Sequence, residues 1–519
     1  MVRMRALVRR RRISTVLLAC LAVPAAMIAG CGGGDDDGGD VDVGPAAVAP
    51  SSAPIYLDAT VKPTGSAQSD ARAALSKVFG TNDPGGKIVS LIDQEGRKQA
   101  ADERFTYTAD IEPWLGERIG FFFTSFAGEG TGAAVVETTD PDQALAFARR
   151  SESGATQTSG QGGTTVYTNP ADGDSFASVG DFLVFGDREA VNAAIDANGG
   201  ESLADSSDFT DAIADLPDDR LGTFYTVPKT LIDAIPSEEI DPTSRSFFES
   251  AAGDNLNDPV SGALTASADS FDLEFVGGNT GTETPESTLL GEVPSQSWLA
   301  VGAADLGEIV KQSIERSKEQ IPNYEETIRQ IESTSGASLD ELTGALGDAV
   351  LYVEGITEST LTGALVVEAK DPELIGRLLG QLQGLLRLGG GGVRPLELGG
   401  GTGFQINDPS MAPAPIEIAE QGGKLVIGYG ANSAARTLTP ADTLADKALF
   451  SSAKDKVADL GTDFFLDFSA VFKLAESTGA KADPGYLQAK PYIRGLSYLV
   501  SGSGSSGDQT EVKAVLGLK

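Results

Sequence analysis

The chain has 519 residues, with 39 basic and 75 acidic side chains, two cysteines (Cys20 and Cys31) and no histidine. That length exceeds one ordinary core, and the formal charge of −36, which becomes −42 once the six arginines before residue 13 are set aside (33 basic against 75 acidic), repels phosphate backbones and excludes nucleic-acid partners. The missing histidine and the scarce cysteine exclude a Ser/His or Cys nucleophile and a nitrogen- or sulfur-ligand metal site; no cofactor is implied, and only an oxygen-ligand ion such as calcium stays open.

Met1–Arg12 carries the six arginines, and Ile13–Gly30 is a mostly apolar run ending in Ile28-Ala-Gly-Cys31. This is the pattern of a lipoprotein signal peptide over residues 1–30, cut before Cys31, with Cys31 as the lipidation site for acyl chains such as palmitate. An uncleaved membrane anchor is the alternative, since eighteen mostly apolar residues are barely enough to span. Residues 31–46, with Gly32-Gly-Gly-Asp-Asp-Asp-Gly-Gly-Asp40, have little apolar area to bury and read as a disordered acidic tether. The expected location is extracytoplasmic, lipid-anchored to the cell membrane. Arg11-Arg12 leaves the export route open between the general secretory and twin-arginine paths, and Gly32 after the cysteine gives no inner-membrane retention signal.

A first domain is expected over residues 47–276. Pro54-Ile-Tyr-Leu57 begins a strand, and helices follow near Ala67–Phe79 and Lys87–Gln99, the second after the turn signal Asn82-Asp-Pro-Gly-Gly86. Trp114-Leu-Gly-Glu precedes the strand Ile119–Thr124; Thr131-Gly-Ala-Ala-Val-Val-Glu-Thr-Thr-Asp-Pro141 then turns from strand into a helix over Gln143–Arg150, with Asp140 as N-cap and Pro141 at the first helical position. Strands at Thr164–Tyr167, Phe176–Val179 and Phe182–Phe185, helices at Asp187–Asp196 and Asp208–Asp215, the run Leu221-Gly-Thr-Phe-Tyr225, a helix near Lys229–Ile235 and a hairpin at Ser261–Ser267 and Phe271–Val276 complete it.

Residues 277–288 read as a linker, and a second domain over residues 289–519 repeats the order. Thr362-Gly-Ala-Leu-Val-Val-Glu-Ala-Lys-Asp-Pro372 matches the earlier stretch at eight of eleven positions, 231 residues on. Trp298-Leu-Ala-Val301 answers the first strand, Leu346-Gly-Asp348 answers Leu115-Gly-Glu117, and Lys424-Leu-Val-Ile427 answers Phe182-Leu-Val-Phe185. Leu444-Ala-Asp446 answers Leu203-Ala-Asp205, and Leu460-Gly-Thr462 answers Leu221-Gly-Thr223. Leu306–Ile331 is helical with an interruption at Pro322, Ser338-Leu-Asp-Glu341 is a capping box, Leu374–Leu386 is a helix, and Leu496–Ser501 with Thr510–Leu518 form the closing hairpin. The fold class expected is α+β: two tandem similar domains from an internal duplication, each a mainly antiparallel β-sheet covered by helices.

The lipobox, Tyr56-Leu and Trp298-Leu shortly after a proline, Trp114-Leu-Gly-Glu before a strand and the Asp-Pro helix starts together resemble an uncharacterised family of bacterial extracytoplasmic lipoproteins, a domain of unknown function. The resemblance implies an envelope protein and supplies no catalytic residues. Ala345 stands where the first copy has Trp114, which makes that tryptophan packing and not chemistry.

Ser451-Ser-Ala-Lys454 has the S-x-x-K pattern of penicillin-binding enzymes without its partner motifs, and reads as a solvated helix face. The glycine runs Gly389–Gly392 and Gly399–Gly403 lack the Lys-Ser/Thr of a phosphate loop, and Gly128-Glu-Gly-Thr-Gly132 precedes a strand, the wrong setting for a dinucleotide. Carboxylates common to both copies are Glu117/Asp348, Glu137/Glu368 and Asp140/Asp371; a carboxylate-based hydrolase is the remaining catalytic option, and capping or solvation explains them without chemistry. No catalytic residue is assigned. The expected function is non-enzymatic: a membrane-anchored binding or scaffold module of the cell envelope, partnered by the membrane through Cys31 and by an envelope protein or apolar ligand. A carrier of a lipid or other apolar ligand in a sheet–helix cavity is the alternative, with Phe121-Phe-Phe123 and Phe464-Phe465 able to line it, although aromatic runs in strands are more often core.

Overall fold

A computed structural model describes residues 44–519 apart from 102, 129, 237, 239, 241–244, 246–252, 279–286, 317, 319–322, 389–391, 507 and 508. The stretch read as a signal peptide, most of that read as a tether, Cys31 and the interruption at Pro322 lie outside the described residues. The chain divides into two compact units, with the boundary at Thr280/Gly281.

In the first unit the strands are β1 (Ile55–Thr60), β2 (Leu115–Ser125), β3 (Thr131–Thr138), β4 (Thr156–Ser159), β5 (Thr165–Thr168), β6 (Asp174–Val179), β7 (Phe182–Asp187), β8 (Gly222–Thr226), β9 (Val260–Ser267) and β10 (Ser270–Gly278). They pair antiparallel in the order β4-β5-β6-β7-β3-β2-β1-β8-β9-β10. Helices α1 (Gly65–Phe79), α2 (Pro84–Lys98), α3 (Pro141–Ser151), α4 (Arg188–Asn198), α5 (Ser207–Ala214) and α6 (Pro228–Asp233) join them.

Successive strand residues point to opposite faces, and here both faces are buried. Val135 packs with Tyr56, Phe122 and Val184 under α4 and α5. Its neighbour Val136 packs with Ile119 and Leu183 under α2 and α3. Helices on both faces explain why the strands read as continuous apolar runs instead of alternating ones. Phe122, the middle of the Phe121–Phe123 run, is core. Gly44–Val48 is a 3-10 turn whose Pro45, Ala46 and Val48 are buried, so residues 44–46, expected in the tether, belong to the packed unit.

In the second unit the strands are β11 (Leu299–Ala303), β12 (Leu346–Glu354), β13 (Thr362–Ala369), β14 (Val393–Pro395), β15 (Thr402–Ile406), β16 (Ile416–Gln421), β17 (Lys424–Tyr429), β18 (Gly461–Asp467), β19 (Leu496–Ser506) and β20 (Gln509–Leu518). Their order is β14-β15-β16-β17-β13-β12-β11-β18-β19-β20, position for position that of the first unit. The helices are α7 (Leu306–Arg316), α8 (Tyr324–Ser335), α9 (Leu339–Gly344), α10 (Pro372–Leu388), α11 (Ser433–Leu438), α12 (Ala448–Lys454), α13 (Phe468–Ser477) and α14 (Pro484–Ile493). The α13–α14 pair is not legible in the sequence pattern, and neither are β4, β14 and β16.

The corresponding details extend to side chains. Asp140 and Asp371 cap α3 and α10, accepting from Gln143 N at 3.0 Å and Leu374 N at 2.9 Å. Capping boxes at Ser202/Asp205 and Thr443/Asp446 follow isolated bridges Pro50–Ser202 and Pro294–Thr443. Edge-to-face rings meet at Phe209–Tyr225 (5.1 Å) and Phe450–Phe465 (5.2 Å). A longer bulge in β2 than in β12 shifts the register, so Phe122 and Tyr352 hold matching places opposite Ala133 and Ala364.

Candidate functional site

The units differ on the face covered by α2 and α3 in the first and by α8–α10 in the second. In the first, Trp114 is 2% exposed; its indole N–H donates to Asp110 O at 2.6 Å, and its ring lies 5.5 Å from Phe147, which in turn meets Phe105 edge-on at 5.6 Å. Ile88 and Ile92 of α2 close the cluster. In the second unit the carbonyl of Ala345 accepts from Lys370 N (2.9 Å) as that of Trp114 accepts from Thr139 N (2.8 Å), so the alanine occupies the tryptophan's place. Seven residues after the capping aspartate, Phe147 is replaced by Leu378. Two large rings are thus exchanged for a methyl and an isobutyl group; Ala345 is itself buried in the cluster under α10, and the helix over this face, α8, buries none of its residues where α2 buries Ile88 and Ile92.

Between α8 and α10 lies an open groove of about 820 Å³, lined by Ile331, Leu378, Leu382, Leu385 and Leu388, with Gly380 and Gly384 thinning one wall and Thr327, Gln330, Thr334, Ser335 and Gln381 along it. Buried Leu374, Ile375 and Leu379 seat α10 on the sheet, so its other apolar side chains face outward: Leu382 is 39% exposed and Leu385 60%. On the same face of the sheet Leu351 and Ile427 are also exposed, joined across the strands through Leu365. Among the described residues, two large apolar side chains are exposed in the first unit and twelve in the second, which locates the uncovered apolar surface in the second.

The carboxylates common to both halves are engaged by backbone. Glu137 accepts from Glu117 N (3.3 Å) and Arg118 N (3.0 Å), and Glu368 from Asp348 N (3.4 Å), each holding the bulge that opens β2 or β12. Gly116 and Gly347 explain the repeated Leu-Gly-acid motif: a Cβ at either would run into that glutamate. Asp348 accepts from Thr288 N (2.8 Å) and Asp305 N (3.2 Å), while Glu117 is exposed. Ser451 and Lys454 lie on the exposed side of α12. Among the described residues no three His, Cys, Asp or Glu side chains converge as metal ligands, and no helix is long and apolar enough to cross a membrane.

A buried ion pair marks the first unit: Arg118 to Asp58 at 3.2 Å, with Tyr56 OH donating to the same carboxylate at 3.1 Å. Burial raises the pKa of Asp58 while Arg118 pulls it back. Gly302 holds the matching place in β11. In the second unit Glu476 at the end of α13 accepts from Lys490 (2.6 Å) and Tyr486 (3.0 Å) of α14, which brings its pKa down to about 2.

Among solved structures, crystal form IV of TP0453 aligns at 12% identity over 45% of this chain and 80% of that chain, with a TM-score of 0.24. Forms I and III of the same protein align at 12% identity over 75% and 77% of this chain and 92% and 98% of theirs, with TM-scores of 0.16 and 0.17. Scores this low support no inference about fold or function. No curated protein matches. Over residues 13–506 the chain matches the family described as "Protein of unknown function (DUF3352)", and it belongs to that family.

Proposed function

We propose that the chain is an internally duplicated, extracytoplasmic lipoprotein held to the cell membrane through Cys31, and that it works without catalysis as an envelope-binding module. Its second unit takes a lipid or other apolar ligand, and its first unit is the packed scaffold. The observation that carries this reading is the apolar-lined groove between α8 and α10, where Leu378 takes the place of Phe147 and α8 buries none of its residues. Its volume of about 820 Å³ lies in the range of small-molecule sites; its leucines and Ile331 offer dispersion and desolvation, and Gln330, Thr334 and Gln381 offer hydrogen bonds to a polar end of the ligand. The identical strand order and paired caps support the duplication; the engagement of the shared carboxylates by backbone N–H groups supports a role other than hydrolysis. The signal sequence and Cys31 support the anchor.

The test is displacement of a fluorescent fatty-acid probe from the chain released from its anchor. Saturable binding that Leu385→Asp weakens at least about tenfold supports the carrier; absence of saturable binding leaves a protein-docking scaffold as the reading to pursue.

A further inference from the structure

A second site in the same unit is polar, and we infer that it binds a neutral hexopyranose unit of a carbohydrate. The cleft, of about 720 Å³, lies between the start of β11, the turn after β12 and the junction of β18 with α13. Trp298 lines it. Its indole N–H donates to Gly355 O at 2.8 Å, its backbone N–H to Val353 O at 3.0 Å, and its carbonyl accepts from Asp467 N at 2.8 Å. With the one polar atom of the indole engaged and the backbone fixed on both sides, the ring carbons are what this side chain can offer a ligand. An apolar ring in a polar cleft suits the C–H face of a sugar.

Beneath it Lys447 Nζ bonds Asp467 Oδ2 at 3.0 Å and Ser297 O at 3.3 Å, and Asp467 Oδ1 accepts from Ser469 N at 2.9 Å, so the charged floor is neutralised and held in place. Around the floor stand Gln296, Asp442, Ser469 and Lys473, whose side-chain polar groups make no hydrogen bond or ion pair among the described residues. They supply amide, carboxylate, hydroxyl and ammonium groups, the mixture of donors and acceptors that vicinal hydroxyls require. Three carboxylates (Asp442, Asp446, Asp467) against two ammonium groups (Lys447, Lys473) leave no surplus positive charge to hold an anion, and the chain's formal charge of −36 opposes one at longer range. The first unit lacks this chemistry: Pro54 matches Trp298, and Val227 matches Asp467.

The test is calorimetric titration of the chain with cellobiose, maltose and chitobiose, alongside retention on cellulose, starch and chitin. The expected result is a Kd below about 10 mM for one disaccharide, or retention on one polymer, with Trp298→Ala weakening binding about tenfold. Gln296→Ala, an exposed substitution that leaves the fold intact, weakens it about threefold. Binding of the soluble disaccharide marks a free sugar as the ligand, and retention on polymer alone marks a glycan surface. No binding to any of the six, or binding that neither variant alters, overturns the inference.

Discussion

The first and second units share ten strands in one order, yet one closes its helix–sheet face and the other leaves it open. Trp114, Phe147 and Phe105 fill the first, with Ile88 and Ile92 of α2 buried against them; in the second, α8 buries none of its residues, and Ile331, Leu378, Leu382 and Leu385 border an open groove. The sheet registers and caps set where helices land, and how far each helix buries its apolar residues then decides whether the face is closed or left open. A repeated framework therefore does not make two equal sites.

The comparison can be broken most severely in the first unit. Trp114→Ala should cost about 3–5 kcal/mol, because it leaves a cavity beside Phe147 that rigid strands cannot collapse; urea unfolding measures it, and a loss below about 1 kcal/mol would mean that the ring is not the plug described. Arg118→Leu should cost a similar amount, about 3–5 kcal/mol at pH 7, by leaving Asp58 buried without its guanidinium. Asp58 already has a raised pKa from burial, so the folded state loses stability as pH rises through that value, and the loss grows without Arg118. The gap between wild type and variant should accordingly narrow when unfolding is repeated at pH 4; a constant gap would refute the assignment.

In the second unit, Leu385→Asp should change stability by less than about 0.5 kcal/mol, since the side chain is 60% exposed, while removing apolar binding. A large stability loss would show Leu385 to be core. The smallest effect expected concerns the α13–α14 pair. Glu476 has its pKa lowered to about 2 by Lys490 and Tyr486, so its contribution is present above the ordinary value near 4.5 and fades as pH falls towards 2. Wild type should be more stable than Glu476→Gln at pH 6, and the two should converge near pH 2. An equal difference at both pH values would count against that bonding.

Much of the framework was legible. Val135-Val136 and Val366-Val367 followed by Asp-Pro named the same strand and helix twice, because β-branched runs and N-caps act locally. Helix α14 was not, since Pro491 inside it removes a helical signal and its stability comes from Glu476 across to Lys490. The capping role of Asp140 and Asp371 was legible, but that of Glu137 and Glu368 was not: Glu137 reaches the bulge at Arg118 N only once β2 and β3 are in register. Ala345 in place of Trp114 was visible as a difference, whereas the groove was not, because it is made by Ile331 of α8 and leucines of α10 that only the fold brings together. The Trp298 cleft draws on Gly355, Lys447 and Asp467, which lie 57, 149 and 169 residues further along the chain, and no periodicity announces it.

The central claim is that one apolar site exists per chain, and that it lies in the second unit. Native mass spectrometry of the anchor-free chain purified from a bacterial host, followed by extraction and identification of what it carries, tests this directly. The account predicts one lipid or other apolar molecule per chain, lost in Leu382→Asp/Leu385→Asp. A ligand-free chain, two ligands per chain, or retention in the double variant would contradict it.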